Sequence, residues 1–87
     1  MNEIRIDFNV GPKKDNIELK GFYQFSSEKT DVRFIELAIE KSLKKLKLTK
    51  EAFIVGIFDV FVNGIKKYEI GILGDPNKKI KKEIRQI

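Results

Sequence analysis

The most concentrated chemistry in this chain lies near its C-terminus. Lys78, Lys79, Lys81, Lys82 and Arg85 face only Glu83 there, a net +4 over residues 77–87. The chain as a whole carries +5, which leaves +1 for residues 1–76. Clustered ammonium groups neutralise phosphates by charge alone and read no sequence. Bidentate recognition of bases or phosphates needs the planar guanidinium of Arg, and Lys outnumbers Arg by 15 to 3. The tail is therefore expected to associate non-specifically with nucleic-acid backbone, with an acidic protein as the other partner that fits such charge.

Catalytic chemistry has little to work with. The sequence has no His, Cys or Trp. That excludes disulfides, thiolate nucleophiles and zinc sites built on Cys or His. It also removes the commonest general base near neutral pH. Asp59 is the one charge between Phe53 and Val62. A catalytic carboxylate needs a second acid, base or ligand beside it; the expected neighbour is Tyr68, which implies a structural role. Gly56, Gly64, Gly71 and Gly74 form no phosphate-cradling pattern. The expectation is a protein without enzymatic activity, cofactor or metal.

Eighty-seven residues make a single domain over 1–87, with no room for a second core. No run approaches the roughly 18 apolar residues of a membrane span. The start, Met1-Asn2-Glu3-Ile4-Arg5, lacks the layout of a secretory signal, so a cytoplasmic location is expected.

The elements that must position these residues follow from periodicity. Ile4, Ile6, Phe8 and Val10 alternate with Glu3, Arg5, Asp7 and Asn9, a strand with one wet face. Gly11 to Asn16 is a turn, and a second strand over 17–25 completes a hairpin. Its Lys20-Gly21-Phe22-Tyr23-Gln24-Phe25 begins as the RNP1 pattern does. Tyr23 stands where that pattern needs a small residue and Gln24 where it needs an apolar one, so no RNA-recognition motif is assigned.

Thr30 or Asp31 caps a helix whose Val32, Ile35, Ile39, Leu43 and Leu46 form one apolar stripe. Phe34 and Leu37 fall outside that stripe. Phe53 to Val62 reads as a strand, and Asn63-Gly64 as a two-residue type I′ turn. A regular ladder from that turn opposes Val62 to Ile65, Val60 to Lys67, Phe58 to Glu69, Ile57 to Ile70 and Val55 to Ile72. One sheet face then holds Val55, Ile57, Phe61, Tyr68, Ile70 and Ile72 and is expected to receive the helix. Gly56 and Gly71 oppose each other on the second face. Asp75-Pro76 reads as an N-cap with proline at the first helical position, starting a short basic helix with Ile80, Ile84 and Ile87 on one side.

The fold expected is α+β, in the order β-β-α-β-β-α. It has a four-stranded, mainly antiparallel sheet, one helix on one face, and a basic C-terminal helix or tail over 76–87. Two surfaces are then open. The basic tail offers Lys78, Lys79, Lys81, Lys82 and Arg85 to nucleic acid. The apolar second face offers Phe22, Phe58, Val60, Val62 and Ile65 to a protein, as an adaptor, assembly subunit or small inhibitor would. That apolar face also predicts a homodimer.

Overall fold

The computed structural model describes residues 1–12, 19–45, 54–74 and 80–87. Strands β1 (Asn2–Pro12), β2 (Leu19–Ser27), β3 (Ile54–Val62), β4 (Ile65–Gly74) and β5 (Ile80–Gln86) surround a helix in sequence, α1 (Val32–Lys45). The five strands form one sheet in the order β2-β1-β3-β4-β5, antiparallel at every pairing. The fold is α+β, with five strands and one helix among the described residues where four strands and two helices were expected.

The main correction concerns the C-terminus. Residues 80–86 are a strand paired to β4, with Ile84 opposite Ile70 and Arg85 opposite Glu69. A three-isoleucine stripe makes a marginal helix, whereas β4 presents a full row of unpaired backbone donors and acceptors. Pairing with that row satisfies both strands at once. The expected helix start at Asp75-Pro76 lies outside the described residues, as do Lys78 and Lys79.

The second correction concerns register. The Asn63-Gly64 turn forms as expected, with φ of +52° and +83°, and Val62 opposes Ile65. The ladder then shifts at Lys67: Phe61 opposes Lys66, but Val60 opposes Tyr68. This β-bulge moves the rest of β4 by one residue, and a shift of one exchanges the faces. Phe58 now opposes Ile70 and Gly56 opposes Ile72, so all four lie on the helix side. The regular ladder would have sent Phe58 and Val60 to one face and Tyr68, Ile70 and Ile72 to the other. The bulge brings all five under α1.

The core follows from that register. Ile4, Ile6 and Val10 of β1, Phe58 and Val60 of β3, and Tyr68, Ile70 and Ile72 of β4 are buried with Ile35 and Ile39 of α1. Asp31 caps α1: its carboxylate accepts the Phe34 N–H at 3.2 Å, and its carbonyl accepts the Ile35 N–H at 3.1 Å. Phe34, outside the helix stripe, packs edge-on against Phe25 at 6.2 Å between centroids. Leu37 remains exposed. Two glycines admit close neighbours. A Cβ on Gly21 would lie 2.9 Å from the Phe8 ring, and one on Gly56 would lie 3.0 Å from Val10 and 3.2 Å from Ile72.

Candidate interaction surface on the open sheet face

With α1 on one face, the opposite face of the sheet is left open among the described residues, and it divides into two halves. At one end, Val55 of β3 opposes Leu73 of β4, and Ile57 opposes Gly71. Their exposures are 43% for Val55, 51% for Ile57 and 39% for Leu73. Pleating places all three on one side, because strand side chains alternate with period two. A Cβ added at Gly71 would meet nothing nearer than the Glu83 carbonyl at 3.9 Å. A shallow trough therefore runs beside Ile57.

The other half is polar. Asp7 opposes Asp59, and Asp59 opposes Glu69, so three carboxylates stand abreast across β1, β3 and β4. Like charges directly opposed destabilise a sheet, and each carboxylate here has a cation. Arg5 Nε lies 2.7 Å from Asp7. Lys66 Nζ lies 3.1 Å from Asp59 and 3.2 Å from Glu69. Arg85 Nη2 lies 2.6 Å from Glu69. The hydrogen bond from Arg85, then that from Lys66, holds the Glu69 carboxyl below its ordinary 4.5. Hydrogen bonds to Asp59 and then Glu69 raise the Lys66 ammonium above its ordinary 10.5. The expected Asp59–Tyr68 contact is absent: the bulge turns Tyr68 to the helix side, where its hydroxyl donates to the Thr30 carbonyl at 3.2 Å.

Phe22 ends the row and lies 56% exposed, with the Arg5 guanidinium 4.1 Å from its ring centroid. Arg5, Asp7, Gln24 and Phe61 border an open cavity of about 360 Å³ beside it. Arg5, Lys20, Lys66, Lys81 and Arg85 give this face five cations. Glu3, Asp7, Asp59, Glu69 and Glu83 give it five anions, so its charges balance among the described residues. No group of these carboxylates is arranged to hold a metal ion among the described residues. No helix among them is long and apolar enough to cross a membrane.

The expected site residues are dispersed. Of the tail, Lys82 turns to the helix side and pairs with Glu40 and, at 3.6 Å, with Glu36 of α1. The Glu40 hydrogen bond is the largest influence raising the Lys82 ammonium above 10.5, against a smaller desolvation effect. Arg85 is engaged by Glu69 on the other face. Lys81 is exposed opposite Leu73 and has no ion pair among the described residues. Of the expected apolar interface, Phe22 is on the open face. Phe58 and Val60 are fully buried in the core and offer no contact surface. Val62 is half-buried on the helix side, and Ile65 is 74% exposed beside the turn.

Val55 and Ile57, assigned to the core from sequence, are the residues that stand open. Their signal was the Lys66-Lys67 pair. Phe58 and Val60 can share a face with Tyr68, Ile70 and Ile72 only if one extra residue is inserted before Tyr68, and two consecutive lysines mark where it is tolerated. Comparison with protein-family models gives no match for the chain, and neither does comparison with curated proteins or with solved structures.

Proposed function

We propose that this chain is a non-catalytic protein-interaction module. It binds a partner protein through the apolar end of its open sheet face. The observation that carries this reading is the cluster of Val55, Ile57 and Leu73, neighbours in register and each more than a third exposed. Covering the exposed part of three aliphatic side chains contributes about 2–4 kcal/mol. That is the scale of a small hot spot, with surrounding charges setting orientation and partner choice. Five cations against five anions among the described residues suit a partner that carries charges of both signs around an apolar patch.

Association with nucleic-acid backbone through Lys78, Lys79, Lys81, Lys82 and Arg85 is the competing reading. Lys82 and Arg85 are already bound to carboxylates. Contact with phosphate would first give up those pairs. Among its described residues, the open face also lacks the excess of cations that phosphate binding draws on.

The two readings separate by salt and by variant. The full chain, Ile57→Asp and Lys81→Glu are titrated with labelled duplex and single strand at 50 and 200 mM salt. They are also used as bait for affinity capture at high salt. The interaction reading expects no salt-sensitive nucleic-acid binding. It expects a protein retained by wild type and by Lys81→Glu but lost with Ile57→Asp. Nucleic-acid binding that collapses at 200 mM salt and is weakened in Lys81→Glu would replace it.

A further inference from the structure

Strand β5 is an edge. β4 lies on one side, and no described residue pairs with the other. The phase of its hydrogen bonds is set by Ile87, whose N–H donates to the Lys67 carbonyl at 3.1 Å. In an antiparallel ladder, alternate residues bond to one neighbour. Lys81, Glu83 and Arg85 therefore bond inward to β4, and the N–H and C=O groups of Lys82, Ile84 and Gln86 point outward. Edges of this kind are usually blunted by proline, a bulge or projecting lysines. Residues 80–87 contain no proline, and the β4–β5 register runs without a shift. Lys82, which could guard the edge, is turned back onto Glu36 and Glu40 of α1.

We infer that the occupant of this edge is the β5 strand of a second copy of this chain. The two run antiparallel about a two-fold axis through Ile84, normal to the sheet. Charge complementarity selects both partner and register. Such an axis keeps opposed residues on the same face, so the axis must pass through a residue. Centred on Lys82, the pairing sets lysine against lysine. Centred on Glu83, it sets Glu83 against Glu83 and Lys81 against Arg85. Centred on Ile84, it sets Ile84 against Ile84, Glu83 against Arg85 twice, and Lys82 against Gln86 twice. That register has no opposed like charges.

The backbone phase fits the same register. The outward groups of Lys82, Ile84 and Gln86 fall into hydrogen-bonded pairs, each of which exchanges two bonds. Glu83 and Arg85 fall into the pairs without backbone bonds, where side chains approach most closely. Glu83 has no ion pair among the described residues, and the Arg85 side chain is 73% exposed despite its contact with Glu69. A second carboxylate has room to reach it. The edge of β2 has no comparable pattern, since Lys20 is its only charge between Leu19 and Ser27. The product is one continuous ten-stranded sheet, with both open faces on the same side. The patch of Val55, Ile57 and Leu73 is then presented twice.

The test is the mass of the full chain in solution, by sedimentation or light scattering, from low to high micromolar concentration. Three variants accompany it. Glu83→Arg turns two opposite-charge pairs into two like-charge pairs and weakens association by about tenfold or more. Ile84→Pro removes an outward N–H while leaving the bonds to β4 in place. Arg85→Glu is monomeric alone, but mixed with Glu83→Arg it forms a heterodimer, because every crossed pair is again of opposite charge. Wild type is expected to dimerise, Glu83→Arg and Ile84→Pro to stay monomeric with unchanged circular dichroism, and the mixture to pair even though Arg85→Glu gives up its own tie to Glu69. A monomeric wild type overturns the inference. So does a dimer that survives Glu83→Arg, or a mixture that stays monomeric. Such a failure leaves the partner-binding role of Val55, Ile57 and Leu73 untouched, since that patch is on another part of the surface.

Discussion

Deletion of Lys67 leaves this domain folded, whereas deletion of Gly71, four residues later on the same strand, does not. Lys67 is the extra residue of the bulge between the Phe61–Lys66 and Val60–Tyr68 pairs. Without it, the ladder runs straight from one pair to the next, and Tyr68, Ile70 and Ile72 keep their places. The losses are local. The Ile87 N–H loses its acceptor at 3.1 Å, about 0.5–1.5 kcal/mol for a hydrogen bond. The Lys67 ammonium also leaves the Tyr68 ring, whose centroid is 5.6 Å away, about 0.5–1 kcal/mol at an exposed site. The expected destabilisation is about 1–2.5 kcal/mol.

Deletion of Gly71 has two outcomes, both costly. If the bulge is retained, Ile72 turns outward and Leu73 takes its place. If the bulge is lost, Glu69 moves under the helix in place of Ile70, and Tyr68 and Ile70 move to the open face. Exposing two such side chains costs about 3–6 kcal/mol, before the buried carboxylate is counted. An 87-residue domain has about 4–13 kcal/mol in total. Urea denaturation followed by circular dichroism measures both variants. A Lys67 deletion that unfolds the chain, or a Gly71 deletion within 1 kcal/mol of wild type, would refute the account of the register.

Four further outcomes test the packing and the ion pairs. The Tyr23 hydroxyl is buried with no well-formed hydrogen bond among the described residues, since the nearby Ser42 hydroxyl donates to the Ala38 carbonyl; burial raises its pKa more than the Ser42 contact lowers it, so Tyr23→Phe should be neutral or stabilise by up to about 1 kcal/mol in urea. Gly56→Ala forces a methyl against Val10 and Ile72 at 3.0 and 3.2 Å, and should lower the melting stability by about 1–3 kcal/mol. Lys82→Gln removes the ties to Glu36 and Glu40, costs about 1 kcal/mol at a partly exposed site, and should speed hydrogen exchange at the Lys81, Glu83 and Arg85 amides. The Glu69 carboxyl is depressed below 4.5 in the fold, so its contribution is present above about 4.5 and is lost as pH falls through the folded value; a pH series of urea midpoints should show Glu69→Gln less stable than wild type at pH 7, with the gap closing in acid.

Much of the local structure was legible in the sequence. The alternation of Ile4 to Val10, the capped helix beginning at Val32 and the turn at Asn63-Gly64 all stand where periodicity and turn chemistry place them. These features depend on residues a few positions apart, so a short window contains their causes. The pairing of β1 with β3, the bulge at Lys67 and the strand at Ile80–Gln86 do not. Each is decided by what a distant segment offers. The C-terminal residues suit a helix or a strand about equally, and the unpaired edge of β4 tips that balance. The bulge adds one residue and exchanges the two faces of β4. It is selected because burying Phe58, Val60, Tyr68, Ile70 and Ile72 together outweighs one irregular pair.

The same division holds for the surfaces. Composition alone excluded Cys and His chemistry and located the excess of lysine. It could not tell that Lys82 would turn to Glu36 and Glu40, or Arg85 to Glu69. Nor could it tell that Phe58 and Val60 would be buried while Val55 and Ile57 stood open. A charge or an apolar side chain is a property of one residue. Whether it is paired, covered or exposed is a property of its neighbours in space, and a one-residue change in register replaces them all.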